Sequence, residues 1–425
     1  MADALMSGSA AWTGGAEFEG EYKERIDKFV ANINHDALLA YASGLRGGRP
    51  CALSQEFSVG SFNLVRKIEF DDGLAWIARL RMPALPGEPS GAAGPHPSER
   101  IRLEMQSELD TMEFIRQKTN IPVPRVYAYD LDHHNTVGSP FSILEYFHGN
   151  TAEEVSASYP GDHEGIPAQF QEKFWRQVAT IMTQLAAIRL PKIGSIFRDG
   201  ANSFVVGPLV ETGTGPYDSA AEFYADYPLA LRKSFGEKVV AGDEELVQAF
   251  RSVAASFQRP SASDGDGPIE GFGLANYDLN PNNILVDREF NVLAVIDWDT
   301  VVAVPDAALY RFPFLMGVGC AVPGVVDTHP AVLKRQELGL RFAEVVETVG
   351  REHNSSGRGD DGGHAAYCQF TKIGFFSKEA LAFRSLVYLK MRQDWVNQEW
   401  VQALKWLSER DETDIAHFYL FDWRE

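Results

Sequence analysis

Between Ala275 and Thr300 the chain reads ANYDLNPNNILVDREFNVLAVIDWDT. Asp278 is followed five residues later by Asn283, and the apolar run Val292–Ile296 ends in Asp297. A carboxylate, an amide and a second carboxylate in an apolar frame supply one candidate proton acceptor and two oxygen ligands. Hard cations such as Mg²⁺ take oxygen ligands and are usually held by one or two carboxylates together with substrate phosphates. A phosphoryl-transfer site suits this set: Asn283 and Asp297 would hold Mg²⁺ on a nucleotide, and Asp278 would accept or orient the proton of an attacking hydroxyl. Asp278 and Asn283 alone would equally suit a turn held by side-chain to backbone bonds. The Ile296-Asp297-Trp298-Asp299 run downstream favours the chemical reading.

These residues need elements to position them, and the chain is long enough to build them. Its 425 residues suggest two or three structural units, and 45% hydrophobic with 23% charged residues is the composition of a folded globular protein. A net charge of −20 argues against nucleic acid or an anionic membrane surface as partner, since both need a basic face, and mildly favours cationic small molecules. Cys51, Cys320 and Cys368 are too scattered for a disulfide framework or a CxxC metal site, which implies a reducing compartment. The first residues lack a basic and then apolar leader, and the apolar stretch 312–326 is too short and too interrupted to cross a bilayer. A cytoplasmic location is therefore expected.

Residues 1–19 read as a loose tail, and 21–45 as one or two short helices broken at Asn34-His35. The runs Asn63–Phe70 and Leu74–Met82 flank Asp71-Asp72-Gly73, a hairpin signal. A Pro/Gly-rich loop over 83–98, a helix near 99–118 and strands in IPVPRVYAYDLD and PFSILEYFHG follow. Phe170, Phe174, Val178, Ile181, Leu185 and Ile188 lie on one face of a helix over 170–188. Loops are expected at 259–269 and 353–364, two short strands around a turn in the opening stretch, and helices near 330–350 and 378–408. The outline is a small strand-rich unit followed by a larger, mostly helical one with an embedded strand pair.

The run YDLNPNNILVD…VLAVIDWDT resembles the signature of the aminoglycoside phosphotransferase and choline kinase-like family, HGDxxxxN…IDW(D/E). Asp278 matches its catalytic aspartate, Asn283 its metal-binding asparagine and Asp297 its metal-binding aspartate. The resemblance extends more weakly over residues 50–320. It implies an α+β, two-lobed protein-kinase-like fold with a small antiparallel-sheet N-lobe and a larger, mainly helical C-lobe. Residues 1–50 would form a tail and helical extension, 51–147 the nucleotide-binding lobe and 148–425 the lobe with catalytic loop and acceptor site.

ATP and Mg²⁺ are the cofactors the resemblance implies, with a small-molecule hydroxyl as acceptor. The loop at Gly60 and Ser61 would approach the phosphates, and Arg79, where a lysine is common, would contact them and pair with Glu108; Arg81 and Glu104 are the fallback pair. Backbone groups near Glu145 and Phe147 would meet the adenine edge. The stretch LYRFPFLMG and Tyr367, Phe370, Trp395, Trp400 and Trp406 are candidates for boxing a cationic or hydrophobic acceptor. Asn276 and Tyr277 stand where the family has histidine and glycine; an asparagine still hydrogen-bonds but does not titrate near neutral pH. That departure keeps open a degenerate, nucleotide-binding or scaffolding protein. A hydrolase using Asp278 and Asp297 as paired carboxylates is a third reading, which leaves Asn283 and the hairpin without a role.

Overall fold

The computed structural model describes residues 8–83, 97–160, 165–236, 240–257, 271–319, 330–356, 370–391 and 393–422. Cys320, Tyr367, Cys368, the loop 259–269 and nearly all of the loop 83–98 lie outside the described residues. The described chain falls into two compact units, residues up to 160 with 281–299 in one, and 165–280 with 300 onward in the other.

The first unit opens with a 3₁₀ turn at Gly8–Ala11, α1 (Gly20–Asn32) and α2 (His35–Leu45). There follow β1 (Cys51–Val59), β2 (Asn63–Phe70), β3 (Ala75–Arg81), α3 (Pro97–Lys118), β4 (Val126–Asp130), β5 (Phe141–Glu145), β6 (Asn150–Thr151) and α4 (Ala152–Ala157). The second unit begins with α5 (Ala168–Ala187), β7 (Ser195–Arg198), β8 (Phe204–Gly207), α6 (Ala220–Ser234), α7 (Asp243–Ala254) and β9 (Gly273–Asn276). The segment Pro281–Asp299 belongs to the first unit and carries a 3₁₀ turn (Pro281–Asn283), β10 (Ile284–Val286) and β11 (Val292–Val295). From Thr300 the second unit resumes with β12 (Val301–Val304), α8 (Asp306–Leu309), α9 (Pro330–Ser356), α10 (Lys378–Leu389), α11 (Asp394–Ser408) and α12 (Glu412–His417).

A five-stranded antiparallel sheet, ordered β1-β2-β3-β5-β4, organises the first unit. Alternation decides its faces: Trp76, Ala78 and Leu80 of β3 are buried, while the intervening Arg79 and Arg81 are only partly so. Leu64, Ile68 and Leu80 share a core with Ile26 and Phe29 of α1 and Leu38 of α2. The two helices are separate because Asn34 caps the second, its side chain accepting from the Ala37 amide at 3.0 Å. The β2–β3 turn is closed by Gly73, at φ 84°, which the Asp-Gly pair had indicated. A second sheet, β11-β10-β6, pairs Leu285 with Thr151 and Ile284 with Val295. Contacts of this kind draw residues 150–157 and 281–299 into the first unit, whereas chain order had assigned them to the helical one.

Two local expectations are corrected. Residues 8–19 are not loose throughout: the Gly8 amide donates to Asn150 Oδ1 at 2.9 Å, Ser9 is buried, and a Cβ at Gly8 would lie 2.4 Å from Tyr146 Oη. The sheet also starts before the two runs read from the sequence: β1 begins at Cys51, and a register shift between Leu53 and Phe57, over polar Ser54-Gln55-Glu56, interrupts the alternation that would have revealed it. The opening stretch likewise holds three strands, not two, because β9 leaves to pair with β12 and only β10 and β11 form a hairpin.

In the second unit α5 buries Phe174, Val178, Ile181 and Leu185 on the expected face. Trp175 meets Phe342 of α9 edge-on at 5.8 Å. The β7–β8 hairpin was not legible, its strands being only four residues each. Among the described residues no helix is long and apolar enough to cross a membrane. Together the units make an α+β protein, the smaller built on an antiparallel sheet and the larger mainly helical, as the kinase-like resemblance implies.

Leu80 is fully buried, so Leu80→Ala should cost about 2–5 kcal/mol, read as a lower urea midpoint. Glu379 accepts from the Tyr224 hydroxyl at 2.7 Å, and burial, with Glu412 and Asp306 adding to it, raises its pKa above the usual carboxylate range. The folded state then keeps a proton that the unfolded chain has released, so stability falls as pH rises from the ordinary carboxylate value through the raised one. Glu379→Gln should flatten that fall, as chemical melts between about pH 4 and about pH 8 will measure.

Candidate functional site

In the first unit, β3 and α3 face each other with two cations and two carboxylates. Arg79 and Arg81 are two residues apart on one strand face, and Glu104 and Glu108 one turn apart on the helix, which matches the periods of the two elements. Arg79 Nη1 bonds Glu108 Oε1, and Arg81 Nη2 pairs with Glu104 at 2.8 Å. Sequence reasoning treated these pairs as alternatives; the fold makes both.

Arg79 Nη2 also lies 3.8 Å from Asp297 Oδ1. The side chains of Arg79 and Glu108 are only 15% and 10% exposed, so this is a largely dry ion pair. Burial disfavours the charge on Arg79, but the carboxylates of Glu108 and Asp297 outweigh it and raise its pKa above that of an ordinary arginine. Asp297 sits at φ 61°, a left-handed conformation uncommon for a residue with a side chain. What holds it there is the next residue: Trp298 is fully buried, its indole donates to the Val295 carbonyl at 2.8 Å, and its amide lies 3.4 Å from Glu108 Oε1. Strained backbone held by its surroundings is common at functional sites.

Asn283 ends the 3₁₀ turn, 9% exposed, and its carbonyl accepts from the Ile296 amide at 2.9 Å. The β10–β11 ladder therefore sets Asn283 opposite Ile296, beside Asp297. An amide oxygen and a carboxylate at one end of a hairpin are hard donors that suit Mg²⁺. Among the described residues no three His, Cys, Asp or Glu side chains form a self-sufficient metal cluster. The donor set fits a cation whose remaining ligands come from phosphate oxygens and water, with Asn283 and Asp297 as the protein's share.

Gly60 and Ser61 are exposed at the β1–β2 turn, where the Gly60 amide donates to the Asn63 carbonyl at 2.9 Å. Helix α1, which sequence reading left without a role, braces this loop: the Tyr22 hydroxyl donates to the Gly60 carbonyl at 3.0 Å and Arg25 to the Ser61 carbonyl at 3.3 Å. Glu145 ends β5 with its amide bonded to the Arg125 carbonyl at 2.9 Å, and the Phe147 carbonyl accepts from Gly149 at 3.1 Å. These bonds engage part of the backbone that was expected to face an adenine.

In the second unit Asp278 follows β9. Asn276 Oδ1 accepts the Asp278 amide at 2.9 Å and the Thr300 hydroxyl at 3.3 Å, and Asn280 Nδ2 donates to Asp278 Oδ1 at 2.7 Å. The aspartate is held from both sides. Asn276, which departs from the family's histidine, thus fixes the backbone through its amide, a role that needs no titratable ring.

Beside Asn276 lies an apolar recess of about 400 Å³, part of it continuous with solvent, whose walls include Met182, Leu185, Leu274, Leu279, Leu309 and Phe370. Arg311 also lines it, its guanidinium 4.9 Å from the Tyr277 ring centroid. The sequence reading noted LYRFPFLMG only for its aromatics; the arginine within it was the overlooked signal. Of the expected aromatic box, Phe370 reaches this recess. Trp400 is buried against Tyr388, Trp406 packs under Arg410, and Trp395 is 57% exposed.

No protein-family model matches the chain. It is similar to a Subtelomeric hrmA-associated cluster protein of Aspergillus fumigatus, 25% identical over 169 residues, which are 37% of this chain and 29% of that protein. It is also similar to Altered inheritance of mitochondria protein 9 of Candida tropicalis, 28% identical over 97 residues, 23% of this chain and 16% of that protein. The match therefore spans less than a third of either curated relative. Among solved structures, a Macrolide 2'-phosphotransferase type I aligns at 16% identity over 88% of this chain and 96% of its own, with a TM-score of 0.43. A choline kinase of Cryptosporidium parvum aligns at 14% identity over 87% and 93%, with a TM-score of 0.34.

Removing one partner of a buried ion pair strands the other charge. Glu108→Ala should lower stability by about 3 kcal/mol, toward the small end of the usual range because Asp297 remains near Arg79. The double variant Arg79→Met with Glu108→Leu should recover most of that loss, and equilibrium unfolding of the wild type, Glu108→Ala and the double variant will measure it.

Proposed function

We propose that this chain is an ATP- and Mg²⁺-dependent phosphotransferase that moves the γ-phosphate to a hydroxyl of a small molecule. The observation that carries the reading is Arg79, held on β3 by Glu108 of α3 with Asp297 only 3.8 Å away. A cation kept in place by a helix carboxylate and set beside a metal-type aspartate is the arrangement that phosphate recognition by this chemistry needs. In this proposal residues 51–147 bind the nucleotide, residues 148–425 carry the catalytic loop and acceptor site, and the protein works in the cytoplasm.

Arg79 would meet the α- and β-phosphates through its planar fork, and the turn at Gly60 and Ser61 would cover them. Asn283 and Asp297 would hold Mg²⁺, whose chemistry is to neutralise charge on the phosphate oxygens. Asp278 takes the proton of the acceptor hydroxyl as the new oxygen–phosphorus bond forms and the bond to the bridging oxygen breaks, ADP leaving with that electron pair. Asn276, Asn280 and Thr300 support this by limiting where the Asp278 loop can sit. Transfer to a positioned hydroxyl gains most from such orientation.

A second reading, a nucleotide-binding protein without turnover, is favoured by one observation: Arg79 is already engaged by two carboxylates, which leaves less of its fork for phosphate. Differential scanning fluorimetry with Mg-ATP and turnover on a panel of hydroxyl metabolites separate the two. Asp297→Ala should abolish the Mg²⁺-dependent thermal stabilisation by ATP. Asp278→Asn should keep that stabilisation and lower phosphotransfer by about 10²–10⁴-fold. Full turnover in Asp278→Asn would sink the assignment of the proton acceptor.

A further inference from the structure

The recess in the second unit carries donors that the protein does not satisfy. Asn276 is 8% exposed, and its Nδ2 has no acceptor among the described residues; neither has the buried Nη1 of Arg311. Buried polar groups are ordinarily paired, and an unpaired one costs free energy comparable to a lost hydrogen bond. Both residues line an otherwise apolar recess, and two unpaired donors so placed point to an acceptor group that is not part of the chain.

The charge of that group follows from the surroundings. Among the described residues no carboxylate lines the recess. Arg311 and the neighbouring Arg384, whose Nη1 and Nε are also buried and unpartnered, form no ion pair among the described residues, although the chain as a whole carries −20. Burial lowers the pKa of Arg311 and Arg384 adds to the lowering, while Tyr277, Tyr388 and Asp278 act in the opposite sense. The face of Tyr277, 4.9 Å away, holds the guanidinium in position without neutralising it. A desolvated guanidinium without a carboxylate is a poor neighbour for a cation and a strong one for an oxyanion, which it meets bidentately. The enclosed part of the recess has room for a group of carboxylate size, and its remaining walls are aliphatic or aromatic.

We propose that the recess binds the carboxylate of an apolar organic acid, through Arg311 with Asn276 as second donor. Read with the phosphotransferase proposal, on which this step alone rests, the acceptor is a hydrophobic hydroxy acid. Its anionic end sits in the recess, and its hydroxyl faces Asp278, two residues along the chain from Asn276. This differs from the cationic acceptor that net charge mildly favours.

Binding and transfer can be tested separately. Hexanoate, hexanamide and hexylamine share one apolar body and differ in the head group, so calorimetric titration of the full chain, without nucleotide, reads the head-group preference directly. Hexanoate should bind about tenfold or more tighter than hexanamide, the usual worth of a charge-assisted hydrogen bond, and hexylamine should be weakest. Arg311→Gln should bring hexanoate and hexanamide to within about twofold, and Asn276→Ala should weaken hexanoate by a smaller factor. Equal binding of all three probes, tighter hexylamine, or an acid preference that survives in Arg311→Gln would each overturn the site. The wild-type series decides even if a variant fails to fold. Acid binding without phosphorylation of 6-hydroxyhexanoate by Mg-ATP would leave the recess standing and remove the transfer; phosphorylation of amino alcohols or neutral alcohols without acid binding would do the reverse.

Discussion

A guanidinium taken out of water loses hydration that only an anionic partner offsets well, and Arg79 has two, bonding Glu108 and lying 3.8 Å from Asp297. Much of the first unit is arranged around this. Strand β3 must alternate so that Trp76, Ala78 and Leu80 go inward while Arg79 and Arg81 meet α3. Helix α3 must present Glu104 and Glu108 one turn apart, and the β11 end must turn through φ 61° at Asp297 with Trp298 anchored behind it. An error of one residue in the register of β3 would send the arginines into the core and the leucine to the helix.

The second unit solves a different problem. Asp278 sits in a short loop that could sample many conformations, and three polar neighbours limit it. Asn276 takes its amide, Asn280 takes its carboxylate, and Thr300 at the start of the next strand segment ties Asn276 in turn. The β9–β12 ladder, pairing Asn276 with Val301, fixes the frame in which these bonds form. An asparagine serves here as a structural amide, so its presence in place of a histidine does not remove the loop's support. The same residue lines the recess, and its Nδ2 has no acceptor among the described residues.

Periodicity and punctuation made the larger elements legible before any coordinates. The Asp71-Asp72-Gly73 turn, the buried stripe of α5 and the helix break at Asn34-His35 are local signals, written within a few residues, and the structure repeats them. The β7–β8 hairpin and the first half of β1 were not visible, since strands of four residues or a bulged start carry too little alternation. The same limit applied to the opening stretch: its apolar runs announced strands, but nothing in them says that β9 pairs with β12 rather than with β10.

Spacing assembled Asp278, Asn283 and Asp297 as a chemical set, and the resemblance to a kinase-like family nominated Arg79 and Glu108 as partners. Folding decided what intervals do not encode: that Arg81 and Glu104 form a pair of their own, that α1 reaches the Gly60 turn through Tyr22 and Arg25, and that Arg311 stands unpaired in an apolar recess beside Asn276. Each of these depends on which distant groups share a dry environment. Burial, and therefore the cost of leaving a charge or a donor unpaired, exists only once the chain has packed.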